Sequence, residues 1–401
     1  MRPSYDIIVV GAGPAGSMAA RRAALGGATV LLLEKDPSVG IPVLCAEAIS
    51  TEGLTRFFPK NELKPQWLCT TIEGVTVQSP SGRSLRVNHP AAGYVLERKI
   101  FDRDLALLAV SAGAELQVST SAVQLVYEQG KLAAVEMKKD GQTFQVAAKL
   151  VIGADGVESI IGRQAGLCQA LPLDDIYSNV QYTLAGITCD PHYPEFWVGQ
   201  NVAPGGYFWV FPKGDGWANV GLGLTPALTG KRPKQYLDEI IQKRYPNASV
   251  VEYISGAVPS RPLKKMSGSQ VLLCGDSARL ADPSSGGGIA SALWSGDLAG
   301  QAAAEAVRRN DLGDQSLQSY DQAWNKAYGS ELRLRLAVKQ IYSRLDDQQM
   351  EELFDVMRDL LEGKTVTAID SRELMLAAVK HSPKLLKWGL NEVLKNFGWK
   401  I

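Results

Sequence analysis

The chain opens on a short apolar run, Asp6-Ile7-Ile8-Val9-Val10, of the kind that fits a strand buried on both faces. A glycine-rich turn follows at Gly11–Gly16, then an alanine-rich helix over Ser17–Leu25 and a second apolar strand over Ala28–Leu33. Residues 98–167 alternate between helix and strand. Thr70–Val87 reads as a hairpin turned at Ser79-Pro80-Ser81-Gly82. Residues 171–260 are rich in β-branched and aromatic side chains punctuated by glycine and proline, which predicts a sheet that the hairpin would join. Within it, Tyr207, Trp209 and Phe211 alternate onto one strand face. From about 289 onward the pattern is helical. At the end, Leu386, Leu390, Val393, Leu394 and Phe397 share one helix face with Lys384, Lys387 and Lys395 beside it. Such a helix either docks on the body or lies on an anionic membrane surface.

The predicted fold class is therefore α/β with mixed α+β character. A Rossmann-like dinucleotide domain (1–69, 98–170 and 265–310) is interrupted by an antiparallel-sheet substrate domain (70–97 and 171–264). A helical region (311–401) follows. At 401 residues the protein exceeds what one hydrophobic core usually organises.

Composition removes several function classes. Lys+Arg and Asp+Glu number 42 each, which offers no basic excess for nucleic acid. The five cysteines, at 45, 69, 168, 189 and 274, form no C-x-x-C pair, and there are three histidines. That argues against zinc and iron–sulfur centres, so no metal is expected. An odd cysteine count without a signal-peptide layout suits a reducing cytosol. No apolar run approaches the roughly 20 residues of a membrane span, so any membrane contact would be peripheral.

The first candidate site is the turn. Gly11 permits the sharp bend, Gly13 lets the backbone approach a pyrophosphate, and Gly16, after Ala15, lets helix and strand pack closely. The helix N-terminus offers free N–H groups to phosphates. Glu34, followed by Lys35, stands at the second strand end, where a carboxylate meets ribose hydroxyls. This unit alone does not separate NAD from FAD.

Two later motifs do, and two further segments fit the same reading. Val151-Ile152-Gly153-Ala154-Asp155-Gly156-Val157-x-Ser159 resembles the Asp-Gly motif of the para-hydroxybenzoate hydroxylase-like FAD-dependent oxidoreductases. Val271-Leu272-Leu273-Cys274-Gly275-Asp276 resembles their second flavin motif, in which the aspartate holds ribityl hydroxyls. Pro283-Ser284-Ser285-Gly286-Gly287-Gly288-Ile289 would turn backbone N–H groups toward the flavin ring and favour its reduced anion. Leu96-Glu97-Arg98-x-x-Phe101-Asp102-x-x-Leu105 resembles the superfamily's arginine segment. Arg98 would then touch flavin or phosphate; a salt bridge to Glu97 or Asp102 is the alternative.

Two stretches narrow the resemblance to the geranylgeranyl reductase family. Tyr207-Phe208-Trp209-Val210-Phe211-Pro212, with Val220-Gly221 seven residues on, is similar to that family's Y-x-W-x-F-P…V-G pattern. Pro42-Val43-Leu44-Cys45-Ala46-Glu47-Ala48-Ile49-Ser50 is similar to its P-x-x-C-G-E-G-x-S loop, with Ala46 and Ala48 in place of glycines. The resemblance implies FAD-dependent saturation of the C=C bonds in a geranylgeranyl or related prenyl group, lipid or diphosphate, by hydride from reduced flavin N5. It implies a substrate wall of Tyr207, Trp209, Phe211, Pro212 and Gly221, and puts Cys45 and Ala46 beside the flavin. Hydride addition to an isolated alkene needs an acid at the opposite carbon. Cys45 is the first candidate, and Glu47 and Tyr207 are the others. The electron donor stays open between NAD(P)H and ferredoxin, the latter a protein partner. Two other readings stay open as well: a flavin monooxygenase or halogenase, and an electron-transfer flavoprotein to quinone. The second of these normally carries iron–sulfur cysteines that this sequence does not space correctly.

Overall fold

A computed structural model describes residues 1–366. Its first sheet is built on β1 (Ser4–Val10), flanked in parallel by β2 (Val30–Leu33) and β9 (Gln142–Gly153). Ile8 stands opposite both Leu31 and Val151, and Ile7, Ile8 and Val9 are fully buried. This is the apolar run expected of a two-sided parallel strand. The sheet continues through β6 (Glu115–Gln117) on one side, and through β16 (Val271–Leu273) and β15 (Ser267–Gly268) on the other. The hairpin of β7 (Thr120–Glu128) and β8 (Lys131–Lys139) extends β9. Helix α1 (Pro14–Leu25) crosses α6 (Ile289–Arg309) at very short range. A Cβ at Gly296 would stand 2.1 Å from the Ala15 carbonyl oxygen, and one at Gly300 2.3 Å from that of Ala19. Only glycine allows this approach, and it ties the two cofactor-motif helices into one body. Helix α3 (Arg98–Ser111) packs on α1, and the short α4 (Ile160–Gln164) follows β9.

The second sheet runs β14 (Ser249–Pro259), β10 (Ile176–Ala185), β13 (Trp217–Leu224), β12 (Tyr207–Gly214), β11 (Glu195–Trp197), β4 (Leu68–Gln78), β5 (Ser84–Leu96), β3 (Ala48–Ser50). The expected hairpin is β4–β5, closed where Arg83 O accepts from Ser79 N at 2.9 Å with Gly82 at φ +85°. Two differences matter. First, the sheet takes in Ala48–Ser50, so the Cys45 loop runs directly from the first layer into the edge of the second. Second, residues 171–260 are not all sheet. Helix α5 (Pro233–Arg244) lies within them and covers the far face with Leu237, Ile240 and Ile241. Its helical spacing was present in the sequence but was obscured by the flanking Gly-Pro punctuation.

Short α2 (Thr51–Thr55) follows β3. The described helical region comprises α7 (Asp314–Trp324), α8 (Ser330–Tyr342) and α9 (Asp347–Leu361). Among the described residues no helix is long and apolar enough to cross a membrane. The amphipathic segment over 382–401 lies outside the described residues.

Candidate active site

The Gly11–Gly16 turn joins β1 to α1 under tight steric control. Gly11 has φ +102°, and a Cβ there would stand 2.3 Å from the Ala154 carbonyl oxygen. A Cβ at Gly16 would fall 1.8 Å from the Gly11 carbonyl oxygen. Gly13 is different, because a Cβ there would meet nothing within 4 Å. That open space lies at the mouth of the α1 N-terminus, where phosphate oxygens find unpaired N–H groups. Glu34 holds the turn as well as facing it: its carboxylate accepts from Ala12 N and Asp36 N, each at 3.0 Å. Lys35 is exposed beside it, and Ala15 is buried against Gly275.

The two aspartate motifs do different work. Asp155 is spent on the protein. One carboxylate oxygen accepts from Ile161 N and the other from the Ser277 hydroxyl, both at 2.9 Å, so it fastens the first motif to the second. Asp276 finds no hydrogen-bond donor among the described residues, although burial pushes its carboxyl up to about 6. Beside it Gly275 has φ +59° and donates its N–H to Ser295 Oγ at 2.9 Å. A half-buried carboxylate without a donor fits a ligand that brings hydroxyls. With the open cradle at Gly13, it makes the residues present fit FAD.

If Asp276 holds FAD hydroxyls, binding stabilises its ionised form, whereas burial in the apoprotein raises the carboxyl to about 6. FAD affinity is therefore expected to hold above pH about 6 and to weaken as the pH falls below it, by up to about tenfold per unit. Asp276→Ala is expected to purify without flavin and without that pH dependence. Equilibrium dialysis across pH 5–8 reads both, and a fully loaded Asp276→Ala protein would remove Asp276 from the cofactor site.

The Gly286–Gly288 loop is shaped by Asp282. Its carboxylate accepts from Ser284 N at 2.8 Å and from the Ser284 hydroxyl at 2.7 Å, while Gly286 N donates to its carbonyl at 2.8 Å. The second carboxylate oxygen receives Arg335 of α8 at 2.5 Å. The loop runs through Gly288 into buried Ile289, the first residue of α6.

The Cys45 loop faces it. Glu47, not an alanine, adopts the left-handed conformation, with φ 75°. Ala46 and Ala48 do not, so their replacement of glycine costs the backbone nothing. Cys45 Sγ accepts from Glu47 N at 3.2 Å, and its carbonyl accepts from Gln181 Nε2 at 3.2 Å. Burial pushes the Cys45 thiol up, and the neighbouring Arg98 guanidinium opposes that. Glu47 is itself buried and accepts three N–H donors: Arg98 N at 3.0 Å, Lys213 Nζ at 2.5 Å and Asn219 Nδ2 at 2.6 Å. Arg98 forks onto Asp102 at 2.7 and 2.5 Å, the salt bridge that stood as the alternative to a flavin contact. It thereby stands between Asp102, Cys45 and Glu47.

The aromatic wall forms as the alternation requires. Tyr207, Trp209 and Phe211 share one face of β12 and pack with Phe196 of β11, whose ring centroid is 5.5 Å from both Tyr207 and Phe211. The Tyr207 hydroxyl donates to the Ser285 carbonyl, and Trp209 Nε1 donates to Gln181 Oε1 at 3.0 Å. Two substrate residues need correction. Pro212 projects to the opposite face and does not line the cavity, because strand side chains alternate. Gly221 lies behind the wall, where a Cβ would come 2.7 Å from the Trp209 ring, so it seats that indole. Together the wall, the Cys45 loop and Ser285–Ile289 enclose a cavity of about 710 Å³. Ligand pockets typically span about 300–1,000 Å³. Phe196, Gln181, Lys213, Asn219, Asp282 and Arg335 were not singled out from sequence; only Lys213 carried a local signal, as the next same-face position after Phe211.

Comparison with known proteins bears on this cavity. The geranylgeranyl reductase catalytic domain family matches residues 175–258, and the FAD dependent oxidoreductase family matches residues 6–167. The protein is 41% identical to a digeranylgeranylglycerophospholipid reductase of Methanosarcina acetivorans, over 99% of this chain and 98% of that protein. A solved structure described as geranylgeranyl bacteriochlorophyll reductase-like, from Thermoplasma acidophilum, matches with a TM-score of 0.90 at 34% identity, covering 97% of this chain and 99% of that one. A flavin-dependent brominase shares the fold with a TM-score of 0.73 at 18% identity, across 99% of this chain and 100% of that one.

Proposed function

The chain belongs to the geranylgeranyl reductase family, and from that premise we propose that it saturates the isoprenoid chains of a digeranylgeranylglycerophospholipid, with Cys45 as the proton donor. It is an FAD-dependent oxidoreductase acting on the C=C bonds of prenyl groups. The observation that carries the finer reading is that the aromatic wall, the Cys45 loop and the Gly286–Gly288 loop share one cavity. An apolar, aromatic surface accepts a hydrocarbon tail, and it keeps water from the reacting bond.

Bound FAD, once reduced, supplies the hydride. The protein's own residues handle position and proton. Tyr207, Trp209, Phe211 and Phe196 hold the prenyl tail flat between wall and loop. Cys45 gives the proton to the second alkene carbon, so that one C–H bond forms there as the S–H bond breaks. The thiolate left behind faces the Arg98 guanidinium and the Glu47 N–H. Glu47 is committed elsewhere, because its carboxylate already accepts from three N–H donors. Tyr207 is a poorer acid: burial pushes its hydroxyl up and Ser285 holds the proton. The thiol regains its proton from solvent between turnovers. Electrons come from a donor that docks transiently, either a nicotinamide nucleotide or a ferredoxin. Reduction of the oxidised holoenzyme by one and not the other identifies it.

Anaerobic mixing of photoreduced holoenzyme with a digeranylgeranylglycerophospholipid is expected to reoxidise the flavin and to add one H₂ per bond to the lipid mass. Geranylgeranyl diphosphate is expected to react more slowly. Failure of every prenyl lipid to reoxidise the flavin would reject the substrate class, and equal rates would reject the phospholipid assignment.

A further inference from the structure

The cavity face of β12 does not end at Phe211. The next residue on that face is Lys213, an ammonium with 5% of its side chain exposed, inside the second sheet. A buried lysine is costly unless it is paired. Lys213 Nζ lies 2.5 Å from Glu47 Oε2 and 3.0 Å from Glu97 Oε2. Asn219, from the adjacent strand β13, donates to the same Glu47 oxygen, and its own carbonyl accepts from the Thr183 hydroxyl at 2.8 Å. The cluster is thus built from both layers. Glu47 belongs to the Cys45 loop and Glu97 to the residue before α3, while Lys213, Asn219 and Thr183 come from three strands of the substrate sheet.

The ties along β12 have a pattern. At one end Tyr207 bonds to Ser285 of the glycine loop, and in the middle Trp209 reaches the Cys45 carbonyl through Gln181. At the other end Lys213 grips Glu47, whose N–H contacts Cys45 Sγ. Glu47 is the loop residue with positive φ, so its side chain is fixed at the bend that aims Cys45. Without Lys213 the bend keeps its backbone freedom and loses its ionic tie to β12, with Asn219 of β13 left as the side-chain donor to Glu47 from the sheet.

We propose that Lys213 is a positioning residue for the reaction: its ammonium, through Glu47, fixes the Cys45 loop against the aromatic strand, so that thiol and wall address the same alkene bond. The proposal rests on the reading of Cys45 as proton donor. Lys213 touches neither the cavity nor the reacting atoms, and it acts through Glu47.

The test uses full-length holoenzyme. Lys213→Met is expected to retain FAD. It should slow flavin reoxidation at saturating lipid by at least about tenfold, since misplacement by an ångström costs up to about a hundredfold. Half-saturation should change far less, and iodoacetamide should alkylate Cys45, mapped by mass spectrometry, faster than in the parent. Lys213→Met takes the cation from both Glu47 and Glu97 and destabilises the protein, so Glu47→Gln/Glu97→Gln/Lys213→Met serves as the neutral control. The triple variant is expected to regain melting temperature without regaining rate. Recovery of both together would reduce Lys213 to a structural ion pair and overturn the proposal, as would unchanged rate and alkylation in Lys213→Met. Cys45→Ala is run in parallel. Full activity there sinks the proton-donor reading, whereas the Cys45 alkylation rate in Lys213→Met still reports on the clamp by itself.

Discussion

Cys45→Ala is expected to keep its full complement of FAD and to lose alkene reduction by about two to four orders of magnitude, the contribution of a positioned general acid. The two outcomes separate because Cys45 reaches the protein through its sulfur and carbonyl, and the carbonyl bond to Gln181 survives the substitution. Flavin absorbance per protein checks the first, and anaerobic flavin reoxidation with prenyl lipid checks the second. The pH dependence has a definite sign. Burial raises the thiol above its ordinary range, so it carries its proton throughout neutral pH. The rate is expected to be level there and to fall as rising pH ionises the thiol. Arg98 and Glu47 N–H favour the thiolate, while the Glu47 carboxylate and Tyr207 oppose it. Removing the Arg98 charge, as in Arg98→Met, should move the fall to higher pH. A fully active Cys45→Ala enzyme would exclude the thiol from the chemistry.

Gly16→Ala is expected to destroy the first layer, whereas Gly13→Ala, three residues earlier, should leave it standing. At Gly16 the added methyl would fall 1.8 Å from the Gly11 carbonyl oxygen and 3.1 Å from Ala154 Cβ. The oxygen belongs to the backbone of the turn and cannot rotate aside. Relief requires α1 to lift from β1, which separates two tightly packed elements of the core. Overpacking of this kind costs about 3 kcal/mol or more. At Gly13 the methyl would enter open space, so the loss should appear in FAD affinity and not in folding. Thermal unfolding of both apoproteins distinguishes them: equal melting temperatures would mean that the turn is softer than its geometry implies.

Much of this was legible in the sequence because it depends on local periodicity. The Ile7–Val10 run, the glycines at their spacing, the β4–β5 hairpin and the alternation of Tyr207, Trp209 and Phe211 each follow from a rule that spans a few residues. The Pro212 assignment failed by that same rule, since its odd-numbered neighbours own the cavity face. Asp155 and Asp276 looked alike as strand-end aspartates. Only the partners supplied by Ser277 and Ile161 show that the first joins motifs, whereas the second meets no hydrogen-bond donor among the described residues.

By itself the sequence determined the dinucleotide turn and the wall of aromatic residues, since backbone sterics and strand alternation leave little choice once those residues are in order, while the choice of FAD over NAD rested on the resemblance of its later motifs. The tertiary structure decided which groups meet across the two layers. Glu47 finds Lys213 after 166 residues and Asn219 after 172, and Asp282 finds Arg335 after 53. No local pattern encodes such pairs. They exist because the second sheet and α8 bring these groups against the Cys45 and glycine loops, where an unpaired charge is too costly to keep.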